Sequence, residues 1–205
     1  QYRDRIRALT RIQAHQDINL SKISDADVIA ATQEGGVTCV QVFFFRSGAN
    51  FGNRAYFPAQ ARNEDLASVI GAFLGQFYAR TPPPGTVFLD HDIPNRKLIE
   101  QALSIRANRK INLQVPMRGD KRKLVKHAAS NARQALERRF AESASQRRLL
   151  KSLAERLGID GPPARIEVYD NSHISGSKAV GAMIVVGPDG FIKNAYRKFN
   201  IKGAR

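Results

Sequence analysis

The stretch Arg165-Ile-Glu-Val-Tyr-Asp170-Asn-Ser-His173 places a carboxylate inside an otherwise apolar β-strand. An ionised Asp in a half-buried strand costs several kcal/mol unless it is paired or bound to a cation. Two carboxylate-held divalent ions about 4 Å apart can clamp the attacking and leaving oxygens of a phosphodiester, so metal-dependent nucleic-acid chemistry is one use for such a residue. Capping a turn at a strand edge is the other.

Working outward, Ser175-Gly-Ser-Lys178 reads as a turn, Ala179-Val-Gly-Ala-Met-Ile-Val-Val-Gly187 as a second apolar strand and Asn194-Ala-Tyr-Arg-Lys-Phe-Asn-Ile-Lys202 as a third. An apolar strand ending in Asp-x-Ser-His, a small-residue turn, another apolar strand and then Tyr-Arg-x-Phe resembles the start of the RNase H-like endonuclease domain of the UvrC family. Members of that family are incision subunits of the bacterial excinuclease of nucleotide excision repair. The segment Arg118-Gly-Asp-Lys-Arg-Lys-Leu-Val125, followed by Ala128-Ala-Ser-Asn-Ala132, is similar to the basic region preceding that domain. Gln1-Tyr-Arg-Asp-Arg-Ile-Arg-Ala-Leu9 is similar to the end of the helical motif through which the subunit meets UvrB.

The resemblance implies that Asp170 is the first metal-binding carboxylate of the site that makes the 5′ incision, with Mg²⁺ or Mn²⁺ as cofactor. Ser172 and His173 then shape the strand end or touch DNA. It also implies double-stranded DNA with a lesion and UvrB as partners. The family's remaining ligands, further acids and a histidine, have no matching positions in this chain, so the chain alone is expected to lack nuclease activity.

Composition points to the same partner class. Of 205 residues, 33 are Lys or Arg against 18 Asp or Glu, a formal net charge of +15 that favours an acidic polymer. No apolar run reaches the roughly 20 residues that span a bilayer and no secretory leader is seen, so no membrane association and a cytoplasmic setting are expected. Cys39, the one cysteine, lies in the apolar run Val37–Phe45 and reads as a small core residue. Three terminal strands without covering helices leave an apolar sheet face in water, so the sequence is expected to be a piece of a longer protein. By the resemblance, a GIY-YIG nuclease domain would precede it. The rest of the endonuclease domain and a helix-hairpin-helix module would follow.

The remaining elements follow from periodicity. Residues 1–16 read as a basic amphipathic helix, in which Ile6, Leu9 and Ile12 form a stripe among Arg3, Arg5, Arg7 and Arg11. Either a partner helix or its own domain covers that stripe, with Arg3, Ile6 and Leu9 as the candidate contacts. Strands are expected at Ala26–Gln33, Val37–Arg46 and Asn53–Pro58, joined by Glu34-Gly-Gly36 and Ser47–Gly52. A helix from about Asn63, its N-cap, to Ala79 carries Leu66, Val69, Ile70, Phe73, Leu74 and Phe77 on one face. Thr86–Asp90 reads as a strand, Asn95–Asn108 as a helix, Ile111–Val115 as a strand and Asp120–Leu157 as a long helix, loosened around Ser143-Ala-Ser-Gln146. The order β-β-β-α-β-α-β-α is that of an RNase H-like mixed α/β sheet.

The expected layout is therefore four segments. Residues 1–19 end a UvrB-meeting helix, 20–118 form a degenerate RNase H-like domain, 119–163 a basic helical connector, and 164–205 the first three strands of a second RNase H-like domain. Laid over the first copy, the strand ending at Asp170 falls on Val28-Ile-Ala30-Ala31, where alanine replaces the carboxylate. Asp25 and Asp27 sit at that strand's entrance, and Asp90-His91-Asp92 follow the fourth strand. They form either a residual site or, the favoured reading, turn caps of an inactive scaffold.

The connector, Asp120–Leu157, has eleven Lys or Arg against four Asp or Glu. Lys121, Arg122, Lys123, Arg138, Arg139, Arg147 and Arg148 on it, with His173, Lys178 and Arg197 beside the later strands, are the candidate DNA contacts. The alternative function is a non-enzymatic basic module that binds DNA or serves as an assembly platform, in which Asp170 is only structural.

Overall fold

The computed structural model describes residues 25–59, 64–174 and 177–201. The segment containing Arg3, Ile6 and Leu9 lies outside the described residues, as does Asn63. The chain divides into two compact units, one up to Leu136 and one from Glu137.

The first unit is built on β1 (Ala26–Glu34), β2 (Val37–Arg46), β3 (Ala49–Tyr56), β4 (Thr86–Leu89) and β5 (Asn112–Gln114), in the order β3-β2-β1-β4-β5. β1–β2 and β2–β3 are antiparallel, whereas β1–β4 and β4–β5 are parallel. This is the mixed sheet expected of an RNase H-like fold. β1 reads as a nearly continuous apolar run because both of its faces are covered. Ile29 and Ala31 join Val40, Val42, Val87 and Leu89 in a core shared with α1 (Leu66–Tyr78) and α2 (Arg96–Ala107). Ala26, Val28 and Ala30 join Phe43, Phe45 and Phe88 in a second core under Leu124, Val125 and Ala128 of α3 (Gly119–Leu157).

Local chemistry sets the element ends. Asp65, not Asn63, caps α1, its Oδ1 accepting the Ser68 N–H at 2.9 Å. Asn95 and Asn108 bracket α2 as left-handed residues, with φ of 54° and 49°, instead of continuing it. β3 begins at Ala49, four residues before the expected start, so the hairpin connection shrinks to Ser47-Gly48 at φ 49° and 75°. Gly52 (φ 107°) lies within the strand, and the β2–β3 register shifts between Phe43 and Phe45, which together make that segment look like a loop in sequence. The backbone of the short edge region around β5 is held by α2: Glu100 Oε2 accepts the Leu113 N–H at 2.7 Å, and Ser104 Oγ accepts that of Ile111 at 2.9 Å. α3 stays helical through Ser143–Gln146.

The second unit holds the later part of α3 and a four-stranded sheet of β6 (Ile166–Ile174), β7 (Ser177–Gly187), β8 (Gly190–Phe191) and β9 (Arg197–Asn200). β7 pairs antiparallel with β6, with β8 and with β9. β6-β7-β9 thus repeats the pairing of β1-β2-β3, and the two-residue β8 is an addition that sequence reading did not anticipate. Met183 and Val185 of β7 are buried, as are Leu150 and Ala154 of the helix. Arg147 ties the helix to the β7–β8 turn through Asp189 at 3.1 Å.

Candidate metal and nucleic-acid site

Side chains alternate across a strand, so Val168, Asp170 and Ser172 share one face of β6 while Tyr169 and Asn171 take the other. Asp170 pairs with Ala182 and Ala182 with Lys198; Ser172 pairs with Val180 and Val180 with Asn200. One face therefore carries a carboxylate and a hydroxyl on β6 and an ammonium and an amide on β9, about 10 Å apart across β7. Between Asp170 and Lys198 stands only the exposed methyl group of Ala182, and between Ser172 and Asn200 the half-buried Val180. The opposite face holds Tyr169, Met183 and Arg197 in one row and Asn171, Gly181 and Phe199 in the next. A Cβ on Gly181 would lie 2.9 Å from Asn171 Oδ1, so that position admits no side chain without a shift.

Asp170 is exposed, as are Val168 and Tyr169, which corrects the expectation of a half-buried strand. Water solvates the carboxylate, so a burial cost is no argument for a cation there. On the other face, Tyr169 Oη and Arg165 Nε each donate to Glu167 at 2.6 Å. These bonds, the tyrosine's first, hold the Glu167 carboxyl below its usual range, and the same contact pushes the Tyr169 hydroxyl up.

The buried carboxylates belong to the first unit. Asp27 is fully buried, with Oδ1 accepting from Arg46 Nη1 at 2.7 Å and Oδ2 from Tyr78 Oη at 2.8 Å. Burial nonetheless raises the Asp27 carboxyl above its usual range. Burial, followed by the neighbouring Asp27, raises the Tyr78 hydroxyl well above its own. Asp90, with a side chain only 6% exposed, follows β4; its Oδ2 accepts the Ala31 N–H at 2.9 Å and its Oδ1 lies 3.1 Å from His91 Nδ1. Burial pushes this carboxyl up too. Asp92 bonds to Arg96 at 2.8 Å, and Asp25 accepts the Ser47 N–H at 2.9 Å. Asp27 is level with Val87, so it lies roughly 10 Å along the strands from Asp90, too far for the two to share an ion. Among the described residues, no group of three or more His, Cys, Asp or Glu is placed to hold a metal.

Counting back from the hairpin turns, Asp170 stands four residues before Ile174, paired with Ser177, and Ala30 four before Glu34, paired with Val37. Ala30 is fully buried in the core under α3. At that count from the turn the first unit has a methyl group covered by a helix and the second an exposed carboxylate, with a register shift between Ser172 and Ile174 in the second hairpin alone.

The expected DNA contacts separate once placed. Lys121 Nζ lies 5.2 Å from the centroid of the Phe88 ring, Lys123 pairs with Asp120 at 2.9 Å, and Arg147 with Asp189 at 3.1 Å. Arg197 lies on the face opposite Asp170 and donates to the Asn194 and Tyr196 carbonyls at 3.1 and 2.8 Å. Arg138, Arg139 and Arg148 are exposed on α3, but neighbouring residues there point about 100° apart, so consecutive pairs do not make one track. The side chains of His173 and Lys178 lie outside the described residues. Sequence reading missed Lys126 and Arg133, which with half-buried Arg122 follow helical spacing along one flank of α3 for roughly 16 Å. It also missed Lys198, whose alternation with Arg197 was the available signal.

Residues 25–139 match the family model of the UvrC Ribonuclease H-like domain, and residues 154–205 that of the UvrC RNAse H endonuclease domain. The chain is 60% identical over 201 residues to UvrABC system protein C of Rhodospirillum rubrum, covering 98% of this chain and 32% of that protein. It is 59% identical to the protein of that name from Paramagnetospirillum magneticum (98% and 32%), and 57% identical to that from Brucella abortus (98% and 33%). The chain spans about a third of the length of these curated relatives.

Proposed function

The chain belongs to the UvrC family, and on that premise we propose that it carries the first metal-binding carboxylate, Asp170, of the site that cuts DNA on the 5′ side of a lesion. The observation supporting this is the row Asp170–Ala182–Lys198. It puts an oxygen donor suited to a hard divalent ion and a cation suited to a phosphate on one exposed face. Lys198 and Asn200 hold the DNA backbone against that face, and Ser172 hydrogen-bonds beside the carboxylate. The first unit is a scaffold without the equivalent carboxylate.

Mg²⁺ or Mn²⁺, when bound, supplies Lewis-acid charge and an activated water. Asp170 fits one ligand position of such an ion. Among the described residues no further His, Cys, Asp or Glu is grouped with Asp170 to complete the set. UvrB, met through residues around Arg3, Ile6 and Leu9, and lesion-bearing duplex DNA are the proposed partners, and the cytoplasm is the proposed setting. Among the described residues, no helix is long and apolar enough to cross a membrane.

The test is a chimera in which this chain replaces the matching third of the Rhodospirillum rubrum protein, assayed on lesion-bearing duplex with Mg²⁺ or Mn²⁺ and the other proteins of the UvrABC system. Asp170→Asn is expected to abolish the 5′ cut while DNA binding persists; unchanged incision would sink the assignment. The 205-residue chain alone is expected to be inactive, and cleavage by it would move the search to Asp90 and Asp92. A second reading, a basic module that grips DNA or docks neighbouring domains without catalysis, is favoured by the exposure of Asp170, which lets water solvate the carboxylate without a cation. It predicts incision indifferent to Asp170.

A further inference from the structure

At the end of the first sheet where β4 and β5 begin, α1 and α2 finish side by side around a cleft of about 340 Å³. Arg80, Thr81, Pro82, Pro83, Arg106 and Arg109 are among its lining residues, which include no Asp or Glu. Arg106 donates to the Ala79 carbonyl and Arg109 to that of Pro83, at 2.7 Å in the second case. Each bond uses one of five guanidinium donors, fixing the head and leaving the others available. The side chain of Arg80 has no hydrogen-bond or ion-pair partner among the described residues. Two helix C-termini contribute roughly half a negative charge each, so three guanidiniums leave a net charge of about +2 in the cleft.

We propose that this cleft is a phosphate-binding site that grips the DNA backbone through Arg80, Arg106 and Arg109, remote from Asp90 and independent of any role for Asp170. Converging like charges repel unless an anion enters, and planar guanidinium forks suit the paired oxygens of a phosphate. Contacts from these arginines to phosphate oxygens carry no sequence information. Binding here is therefore independent of DNA sequence and sensitive to salt.

The experiment measures anisotropy of labelled duplexes of two unrelated sequences with the full 205-residue chain over a range of salt, for wild type, Arg80→Gln, and Arg80→Gln with Arg109→Gln. The expected result is several-fold weaker binding of both duplexes by the variants. The slope of log K against log salt should fall by about 0.9 for each phosphate that is no longer neutralised. Arg80→Gln removes no capping bond, so its melting temperature is expected to stay at the wild-type value, separating impaired binding from impaired folding. Unchanged affinity and slope in a folded Arg80→Gln variant would overturn the proposal. A parallel titration with inorganic phosphate separates the sources: saturation that depends on Arg80, with DNA affinity unaltered, would reassign the cleft to a small anion and overturn the DNA assignment.

Discussion

Ala30 and Asp170 each stand four residues before the final paired residue of their hairpin's first strand, but a register shift between Ser172 and Ile174 sets Asp170 opposite Ala182, whereas Ala30 faces Gln41 in an unbroken ladder. One is sealed beneath Leu124, Val125 and Ala128, and the other is open to water. The repeat thus keeps the strand pairing, shifts the register near the turn and exchanges the environment. That exchange separates a scaffold from a candidate site more clearly than the loss of one carboxylate does.

Ala30→Asp should therefore destabilise the first unit by at least ~3 kcal/mol, since its carboxylate would enter an apolar core without a partner. Asp170→Ala should change stability by less than ~0.5 kcal/mol, because the side chain is exposed. Urea unfolding of both variants checks the pair. Similar losses at the two positions would mean that the hairpins are not equivalent in the way that counting from the turns implies.

Asp27 gives the first unit a pH dependence. Its carboxyl is raised by burial despite Arg46 and Tyr78, so the native state binds the proton more tightly than the unfolded chain. The protonated group's stabilising contribution is fully present below the ordinary value of 3.8 and is lost as pH rises through the raised native value. Asp90, also raised, acts in the same direction. Thermal melts from pH 3 to about 7 should show a component that weakens with rising pH, and Asp27→Asn should flatten it. Arg46→Ala should cost ~3–5 kcal/mol at neutral pH by stranding the buried charge, and Tyr78→Phe ~1–3 kcal/mol.

Much of this architecture was legible in the chain, for identifiable reasons. β1 and β2 announce themselves because a doubly covered strand must be apolar throughout and Gly35-Gly36 marks their turn. The start of β3 was hidden, since Gly52 and the register shift mimic a loop. Asp170 could be located from its motif, but not its exposure, which depends on what covers the sheet. Asp27 looked like a strand entrance because its partners lie 19 and 51 residues away in the chain. That Lys198 and not Arg197 shares the face of Asp170 was not legible, because the β7–β9 register, a non-local property, decides between neighbours.

On α3, the flank of Arg122, Lys126 and Arg133 should contribute more to DNA affinity than the arginine pairs chosen from sequence. Changing all three to Gln should lower the salt slope of duplex binding by up to about 3, at ~0.9 for each phosphate contact. Lys123→Gln and Arg147→Gln should have smaller effects, because those cations already face Asp120 and Asp189. Anisotropy titrations over a range of salt test the ranking, and equal slopes for the two sets would refute a track along this flank.

Lys198 and Arg197 offer the sharpest test of the proposed incision face. In the chimera, Lys198→Gln should reduce incision tenfold or more, by analogy with removal of a single charge-stabilising donor, and Lys198→Arg should restore most of it. A loss confined to KM would place Lys198 in ground-state DNA binding, whereas a loss in kcat would place it against the charge that develops at the phosphate. Arg197→Gln should leave both constants nearly unchanged and lower the melting temperature, because its guanidinium serves the Asn194 and Tyr196 carbonyls on the other face. If Arg197→Gln impaired incision while Lys198→Gln did not, the catalytic face would be the one carrying Tyr169 and Met183, and Asp170 would point away from the DNA.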